Sequence, residues 1–250
     1  MATTFRNAII IGASSGIGAA IARRLAAGGA RVALVARRRE RLVDITTEID
    51  AAAGESRAFI YEHDVRRPEE VPELFQQIAR DLGGLDLMVY AAGMMHRLAS
   101  DEYATDTDIE MLDVNLAGAI AWLNPAAERF ARLGRGTIVG IGSVAGDRGR
   151  VANPVYNASK AGLETYLEAL RNRIHRRGAR VVTIKPGFVD TEMTRGLKGL
   201  FWLVSADRAA EIILRKARRG VVSAYVPARW RLVMWVIRSI PSLVFRRLSV

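Results

Sequence analysis

N-A-I-I-I-G-A-S-S-G-I-G, from Asn7 to Gly18, passes from an unbroken apolar run into a loop of glycines and serines. The apolar run reads as a strand buried on both faces, because nothing polar alternates within it. Gly12, Gly16 and Gly18 permit a tight turn and a close approach of bare backbone to a pyrophosphate. Ser14, Ser15 and Ile17 lie between them and belong to the same candidate nucleotide site. The helix that follows offers unpaired N–H groups and the positive end of its dipole. The spacing is G-x-x-x-G-x-G, not the commoner G-x-G-x-x-G, and many tight turns look similar. Its place directly after the first strand is what favours nucleotide binding.

Outward from this junction, short apolar runs alternate with longer helical patterns. Strands are expected at Asn7–Ile11, Arg31–Ala36, Arg57–Tyr61, Leu85–Tyr90, Thr137–Ile141, Arg180–Ile184 and Val221–Val226. Amphipathic helices are expected at Ile17–Ala27, Glu40–Ala53 and Pro68–Leu82, with a long one near Thr107–Leu133. Gly28-Gly29, Gly54, Gly83-Gly84 and Gly178 stand where helix caps belong. This alternation predicts an α/β fold: a Rossmann-type, doubly wound parallel sheet of about seven strands with right-handed crossovers. No linker or repeat divides the 250 residues, so residues 1–226 are expected to form one catalytic and dinucleotide-binding domain. Residues 227–250 form a separate basic and apolar segment at its end.

Composition removes several classes of function. The chain has no cysteine, which excludes disulfides and thiolate chemistry, and its three histidines are scattered, so no metal site is expected. The start enters a strand pattern without a signal-peptide pattern, and no apolar run is long enough to span a bilayer. A cytoplasmic protein is expected, or one peripheral on the inner face of the cell membrane. The net charge of +11 suits polyanions, and the excess is concentrated late: from Arg208 onward ten Lys and Arg accompany a single acid, Glu211. No nucleic-acid-binding motif accompanies that charge, so nucleic acid is not an expected partner.

The end of the second strand carries Arg37-Arg38-Arg39. An acid there would bind the ribose hydroxyls of NAD, whereas an arginine suits the 2′-phosphate of NADP. Arg37 is the first choice for that contact and Arg38 the second, so NADP(H) is expected ahead of NAD(H). After the third strand come Asp64 and Val65. Asp64 is read equally well as an adenine contact and as a cap for the turn near Pro68.

A second stretch, Ser143 to Lys160, contains a serine, a tyrosine and, four residues later, a lysine. If Tyr156 opens a helix, Lys160 lies one turn on along the same face. An ammonium there favours the phenolate and lowers the tyrosine pKa from about 10, so that it can pass a proton near neutral pH. Y-x-x-x-K alone is a common chance pattern.

In combination the motifs are specific. G-A-S-S-G-I-G, Asp64-Val65, A-A-G at Ala91–Gly93, V-N-L-A-G containing Asn115, Ser143, Y-N-A-S-K at Tyr156–Lys160 and P-G-F-V-D-T at Pro186–Thr191 occur in one order. In this the chain resembles the short-chain dehydrogenase/reductases to about Val226. The resemblance implies that Tyr156 donates a proton to a carbonyl oxygen during reduction, with Ser143 stabilising developing oxyanion charge. Lys160 would tune the tyrosine and hold the nicotinamide ribose, and Asn115 would hold a water that resupplies protons. Ala92 and Gly93 would lie at the cofactor, and Pro186, Gly187, Val189 and Thr191 would line its nicotinamide. Two residues depart from the family pattern. Ile11 replaces the usual threonine and Ala91 the usual asparagine, changes expected to loosen the strand ends beneath the cofactor.

The substrate end is less determined. Leu200, Phe201, Trp202 and Leu203 read either as a lid over a greasy substrate or as residues packed on the domain. Between Pro227 and Val250 lie Trp230, Trp235 and Phe245 among aliphatics, with five arginines and no acid. That composition suits an interfacial membrane segment and equally a subunit interface; a homodimer or homotetramer is expected. This ending, and A-G-D-R-G-R-V-A-N at Ala145–Asn153, resemble family members that reduce a polyprenyl-phosphate keto-sugar. That likeness implies a lipid-linked ketone substrate and a flavoprotein oxidase partner. The leading expectation is an NADPH-dependent reductase of a hydrophobic or lipid-linked ketone. Reduction of 3-oxoacyl thioesters is a second reading, and a non-catalytic, membrane-associated nucleotide sensor a third.

Overall fold

The computed structural model describes residues 4–97, 99 and 101–248. Its strands are β1 (Asn7–Ile11), β2 (Arg31–Ala36), β3 (Ala58–Glu62), β4 (Leu87–Tyr90), β5 (Thr137–Ile141), β6 (Arg180–Pro186), the two-residue β7 (Val189–Asp190) and β8 (Val204–Ser205), and β9 (Ser223–Val226). Seven form one parallel sheet in the order β3-β2-β1-β4-β5-β6-β9; β7 and β8 pair separately. The predicted sheet is present. Its fourth strand begins two residues later than expected, at Leu87, and just before it the Asp86 carboxylate accepts the main-chain N–H groups of Arg6 and Asn7 at 2.9 and 3.1 Å.

The helices are α1 (Gly16–Ala27), α2 (Arg39–Ala53), α3 (Val71–Asp81), α4 (Thr105–Leu112), α5 (Gly118–Leu133), α6 (Pro154–Ile174), α7 (Ala206–Arg219), α8 (Trp230–Ser239) and α9 (Ser242–Phe245). Alternation along β1 shows how both faces are filled. Ala8 and Ile10 join the apolar layer under α1, α2 and α7, while Ile9 and Ile11 join the layer under α3, α5 and α6. Successive strand side chains point to opposite faces, so a run without polar residues demands helices on both.

Two features of these elements bear on the site. The long helix near Thr107–Leu133 is α4 and α5 joined by a π turn over Asp113–Ala117, which holds Asn115. At Ile11 and Ala91, where loosening is expected, main-chain bonds join the strand ends. These run from Gly12 N–H to the Val35 carbonyl (2.8 Å) and from Ala91 N–H to the Ile11 carbonyl (2.9 Å). Ile11 itself is fully buried.

Candidate active site

Strand order reverses direction between β1 and β4, and a cleft opens at their C-terminal edges, as parallel doubly wound sheets dictate. Its volume is about 460 Å³. One end is bordered by Ser14, Ser15, Gly16, Ile17, Arg37, Arg38, Val65 and Thr191, the other by Ser143, Tyr156, Lys160, Pro186, Gly187 and Val189. Gly12, Ala92 and Gly93 lie between. Three predicted residues stand behind the lining: Gly18, Asp64 and Asn115. Gly18 is a packing residue, since a Cβ there would come within 2.2 Å of the Gly12 carbonyl oxygen. Gly12 itself has φ +84°, and a Cβ on it would lie 2.4 Å from the Ala92 nitrogen. The loop therefore presses directly on the end of β4. Ser15 makes no side-chain cap to α1, so the first-turn N–H groups stay available to an anion. A dinucleotide fits this cradle: bare backbone, free donors and flanking cations converge on it.

Between the two arginines, Arg38 makes the closer contact with the glycine loop. Its guanidinium donates to the Ser14 hydroxyl at 3.0 Å, the Ser15 hydroxyl at 2.8 Å and the Glu192 carboxylate at 2.8 Å. Arg37 is more exposed and lies 3.8 Å from Asp64. Asp64 serves its own turn, accepting the Arg66 main-chain N–H at 3.0 Å and the Arg66 guanidinium. Partial burial favours its neutral form, but the Arg66 hydrogen bonds and the Arg37 charge outweigh that and hold it below the usual carboxylate range. These contacts close a turn from Asp64 to Arg67, while the short helical turn at Pro68–Glu70 has no side-chain cap. His63, which the sequence did not single out, lines the cleft while its ring meets Trp122 edge-on at 5.3 Å. Its position directly before Asp64-Val65 was the available signal.

At the other end, α6 brings Tyr156 and Lys160 to one side of the cleft. Asn153, in a left-handed conformation (φ 54°), turns the chain into Pro154 and the first helical turn. Burial pushes the Tyr156 phenol above its ordinary pKa. A hydrogen bond with Ser143 opposes that, the Glu164 charge adds to it, and the Arg150 charge opposes it. The lowering expected from Lys160 is not what this arrangement produces. The Lys160 ammonium is 5.8 Å from the centre of the tyrosine ring and donates to the Ile141 carbonyl at 3.0 Å. Its own burial brings Lys160 down to about 8, against the upward pull of Glu164.

Asn115 is fully buried. Its carbonyl oxygen accepts from the Met94 N–H at 2.8 Å, and its amide donates to the Met94 carbonyl and the Ser159 hydroxyl, both at 3.0 Å. It thus straps the chain after β4 to α6. An added Cβ on Gly93 would stand 3.3 Å from both the Asn115 oxygen and the Lys160 nitrogen, so this glycine lets the two approach the cleft floor.

Beneath Ser143 lies a charged cluster that no motif announced. Glu164, one turn beyond Lys160, accepts the Ser143 N–H at 3.0 Å and pairs with Lys185 at 2.8 Å. Lys185 also pairs with Asp147 at 2.6 Å, and Asp147 accepts the Tyr225 hydroxyl at 2.8 Å. A Cβ on Gly142 would lie 2.4 Å from the Glu164 carboxylate, so the glycine makes room for the charge. Among the described residues no cluster of three or more His, Asp or Glu could hold a metal.

Beyond the cleft, the segment after Thr191 packs only in part, and Phe201 and Leu203 remain 49% and 45% exposed. Phe188, Phe201, Trp202 and Trp230 form an aromatic cluster with ring centres 5.0–5.7 Å apart.

A glycine loop and a Ser–Tyr–Lys group on one parallel doubly wound sheet define an oxidoreductase of the Rossmann class. The family model described as short chain dehydrogenase matches residues 6–199, and the chain belongs to the short-chain dehydrogenase/reductase family. It is 33% identical over 242 residues to an uncharacterised oxidoreductase of Mycobacterium tuberculosis, covering 94% of each chain. An uncharacterised oxidoreductase of Myxococcus xanthus is 32% identical, with 92% of this chain and 90% of that one covered. A dehydrogenase/reductase from Sinorhizobium meliloti superposes with a TM-score of 0.77 at 28% identity, covering 90% of this chain and 94% of that one. A short-chain dehydrogenase from Sphingobium yanoikuyae, solved with NADPH, superposes with a TM-score of 0.81 over 95% of this chain and 97% of that one; at 24% identity it speaks for the fold alone. Membership sets the non-catalytic reading aside.

Proposed function

We propose that the protein is an NADPH-dependent reductase that converts the carbonyl of a hydrophobic or lipid-linked keto substrate to a secondary alcohol. The observation that carries this reading is one cleft with Ser143, Tyr156 and Lys160 at one end and Arg38 beside Ser14 at the other. When bound, the nicotinamide supplies the hydride. Tyr156 gives its phenolic proton to the carbonyl oxygen, and its raised pKa keeps that proton in place at neutral pH. Ser143 holds the same oxygen and stabilises charge as it develops. Lys160 restores the proton to the phenol side, and Asn115 keeps the floor of this path in register; the water relay implied by the resemblance would start here. Arg38, with Arg37 as second cation, takes the 2′-phosphate.

The aromatic and arginine-rich residues 227–250 support a substrate held at a membrane surface, such as a polyprenyl-phosphate keto-sugar, with the protein peripheral on the inner face. A flavoprotein oxidase would then form the ketone that this enzyme consumes. A homodimer or homotetramer is part of the same reading. The same proton chemistry serves 3-oxoacyl thioesters. Assaying a polyprenyl-phosphate keto-sugar beside an acyl thioester, with NADPH and with NADH, tests the proposal: faster turnover of the thioester, or equal use of both cofactors, would overturn the corresponding half.

A further inference from the structure

The two stretches that most distinguish this sequence, Ala145–Asn153 and the residues after Pro227, touch one another. Arg148 sends one guanidinium nitrogen to the carbonyls of Ile237 (2.9 Å), Arg238 (3.3 Å) and Ile240 (2.5 Å), where α8 ends. The same guanidinium lies 4.0 Å from the centre of the Phe245 ring in α9. A cation over the last carbonyls of a helix satisfies orphan acceptors and meets the negative end of the dipole. Arg150 reaches the Met234 sulfur at 3.7 Å and the Val144 carbonyl at 3.4 Å. Trp230, only 2% exposed, packs with Val144 and Met234. It also covers Gly187, where a Cβ would fall 1.9 Å from the indole nitrogen. Gly187 lines the cofactor cleft. A displacement of α8 therefore reaches both the loop between Ser143 and Tyr156 and the wall of the cleft.

The other side of this segment is bare. Leu232, Trp235, Val236, Leu243, Val244 and Leu248 are exposed, Leu232 and Trp235 by 68% and 67%. Arg231 and Arg238, two turns apart on α8, flank Trp235 in a surface groove. Among the described residues no helix is long and apolar enough to cross a bilayer, and α8 and α9 are interrupted at Pro241. Such a segment can lie on a membrane but not traverse it. Charge selects the occupant. Five arginines and no acid occur from Pro227 to Val250. A two-fold pairing of this segment with itself would bring together two arginine-rich surfaces with no acid on either to neutralise them. Anionic headgroups neutralise them and leave the aromatic and aliphatic side chains to enter the interface.

We propose that the exposed face of α8 and α9 docks on an anionic bilayer, and that docking is felt at the cofactor cleft through Arg148 and Trp230. This deepens the membrane reading above by adding a coupling between surface and site. Coupling of this kind is reciprocal: whatever factor docking applies to cofactor affinity, the cofactor applies to docking.

The experiment uses the full chain with vesicles of phosphatidylcholine, alone or mixed with phosphatidylglycerol. Sedimentation and tryptophan emission report docking. Titration with NADPH or NADH, whichever binds tighter, reports coupling without any turnover. Failure to find a reducible ketone therefore leaves the result readable. The expected result is binding to the anionic vesicles alone, lost in the double variant Arg231→Glu, Arg238→Glu. Docking should shift the cofactor Kd by about fivefold or more. Arg148→Ala should keep docking and lose that shift; Phe245→Ala, which removes only the stacked ring, serves if Arg148→Ala does not fold. An unchanged Kd on docked protein overturns the coupling. Absence of docking, with the double variant splitting an oligomer, overturns the surface in favour of a second copy.

Discussion

Arg38 and Glu192 meet at 2.8 Å, one residue from the end of β2 and the other from the loop after β7. The Arg38 hydrogen bond holds Glu192 below the usual carboxylate range, so Glu192 is ionised at neutral pH. A cofactor phosphate entering beside Ser14 must compete with that carboxylate for Arg38. Glu192→Gln should therefore tighten NADPH binding several-fold. Arg38→Ala should weaken it by roughly 10- to 100-fold, the range of a charge-assisted contact, with little effect on NADH. Arg37→Ala should do less. Fluorescence titration with both cofactors reads all three variants, and equal losses for NADPH and NADH would remove Arg38 from the 2′-phosphate.

Tyr156→Phe deletes the phenolic proton and little else. Turnover should fall by about 10²- to 10⁴-fold while NADPH affinity stays nearly constant. Steady-state rates beside a binding titration separate the two, and substantial remaining turnover would displace Tyr156 as proton donor.

Glu164 and Lys185 form a buried pair, with side chains 9% and 16% exposed. Removing Lys185 strands two buried carboxylates, Glu164 and Asp147, whereas losing Glu164 leaves Lys185 paired with Asp147 at 2.6 Å. Lys185→Met should cost roughly 3–5 kcal/mol of stability, and Glu164→Gln with Lys185→Met should recover part of it. Denaturant titration measures both. A harmless single variant would mean that the cluster is not a support for the Ser143 loop.

Lys160 carries a pH signature. Its folded pKa of about 8 lies below the ordinary 10.5, so between these values the unfolded chain binds the extra proton. Stability from this group is present above pH 10.5, falls as pH drops towards 8, and is fully lost below; the amplitude is on the order of 3 kcal/mol. Lys160→Met should raise the melting temperature at pH 7 and flatten the rise between pH 8 and 10, while abolishing turnover. A variant less stable than the parent at pH 7 would contradict the cost of burying the ammonium.

Much of this was legible in the sequence for a simple reason. β-branched runs such as Asn7–Ile11 mark buried parallel strands, and the topology carries every motif that follows a strand to one edge. The glycine loop, Ser143 and Pro186-Gly187 are far apart in sequence yet share a cleft on that account. What escaped depends on reach or on long-range pairing. Arg37 and Arg38 are neighbours of the same type, and only the path of β2 decides which touches Ser14. Glu164, Lys185 and Asp147 come from three elements with no shared periodicity. Arg148 and Ile240 were each visible, but their contact was not. The π turn at Asp113–Ala117 was hidden because apolar spacing over five residues cannot distinguish it from an ordinary helix.

That π turn has a genetic consequence. It is a surplus residue folded into an otherwise regular helix. Removing one residue of 113–117 other than Asn115 would let the helix close its ordinary hydrogen bonds, leaving α4 and α5 nearly in phase but re-aiming the residues between them. Asn115 would then turn away from Met94 and Ser159. The constraint on this stretch is its length together with Asn115, so its other positions should accept exchanges of residue type but no shortening. A codon-deletion scan across 105–133, read beside an alanine scan, would find a minimum across the whole turn where the alanines find chiefly Asn115.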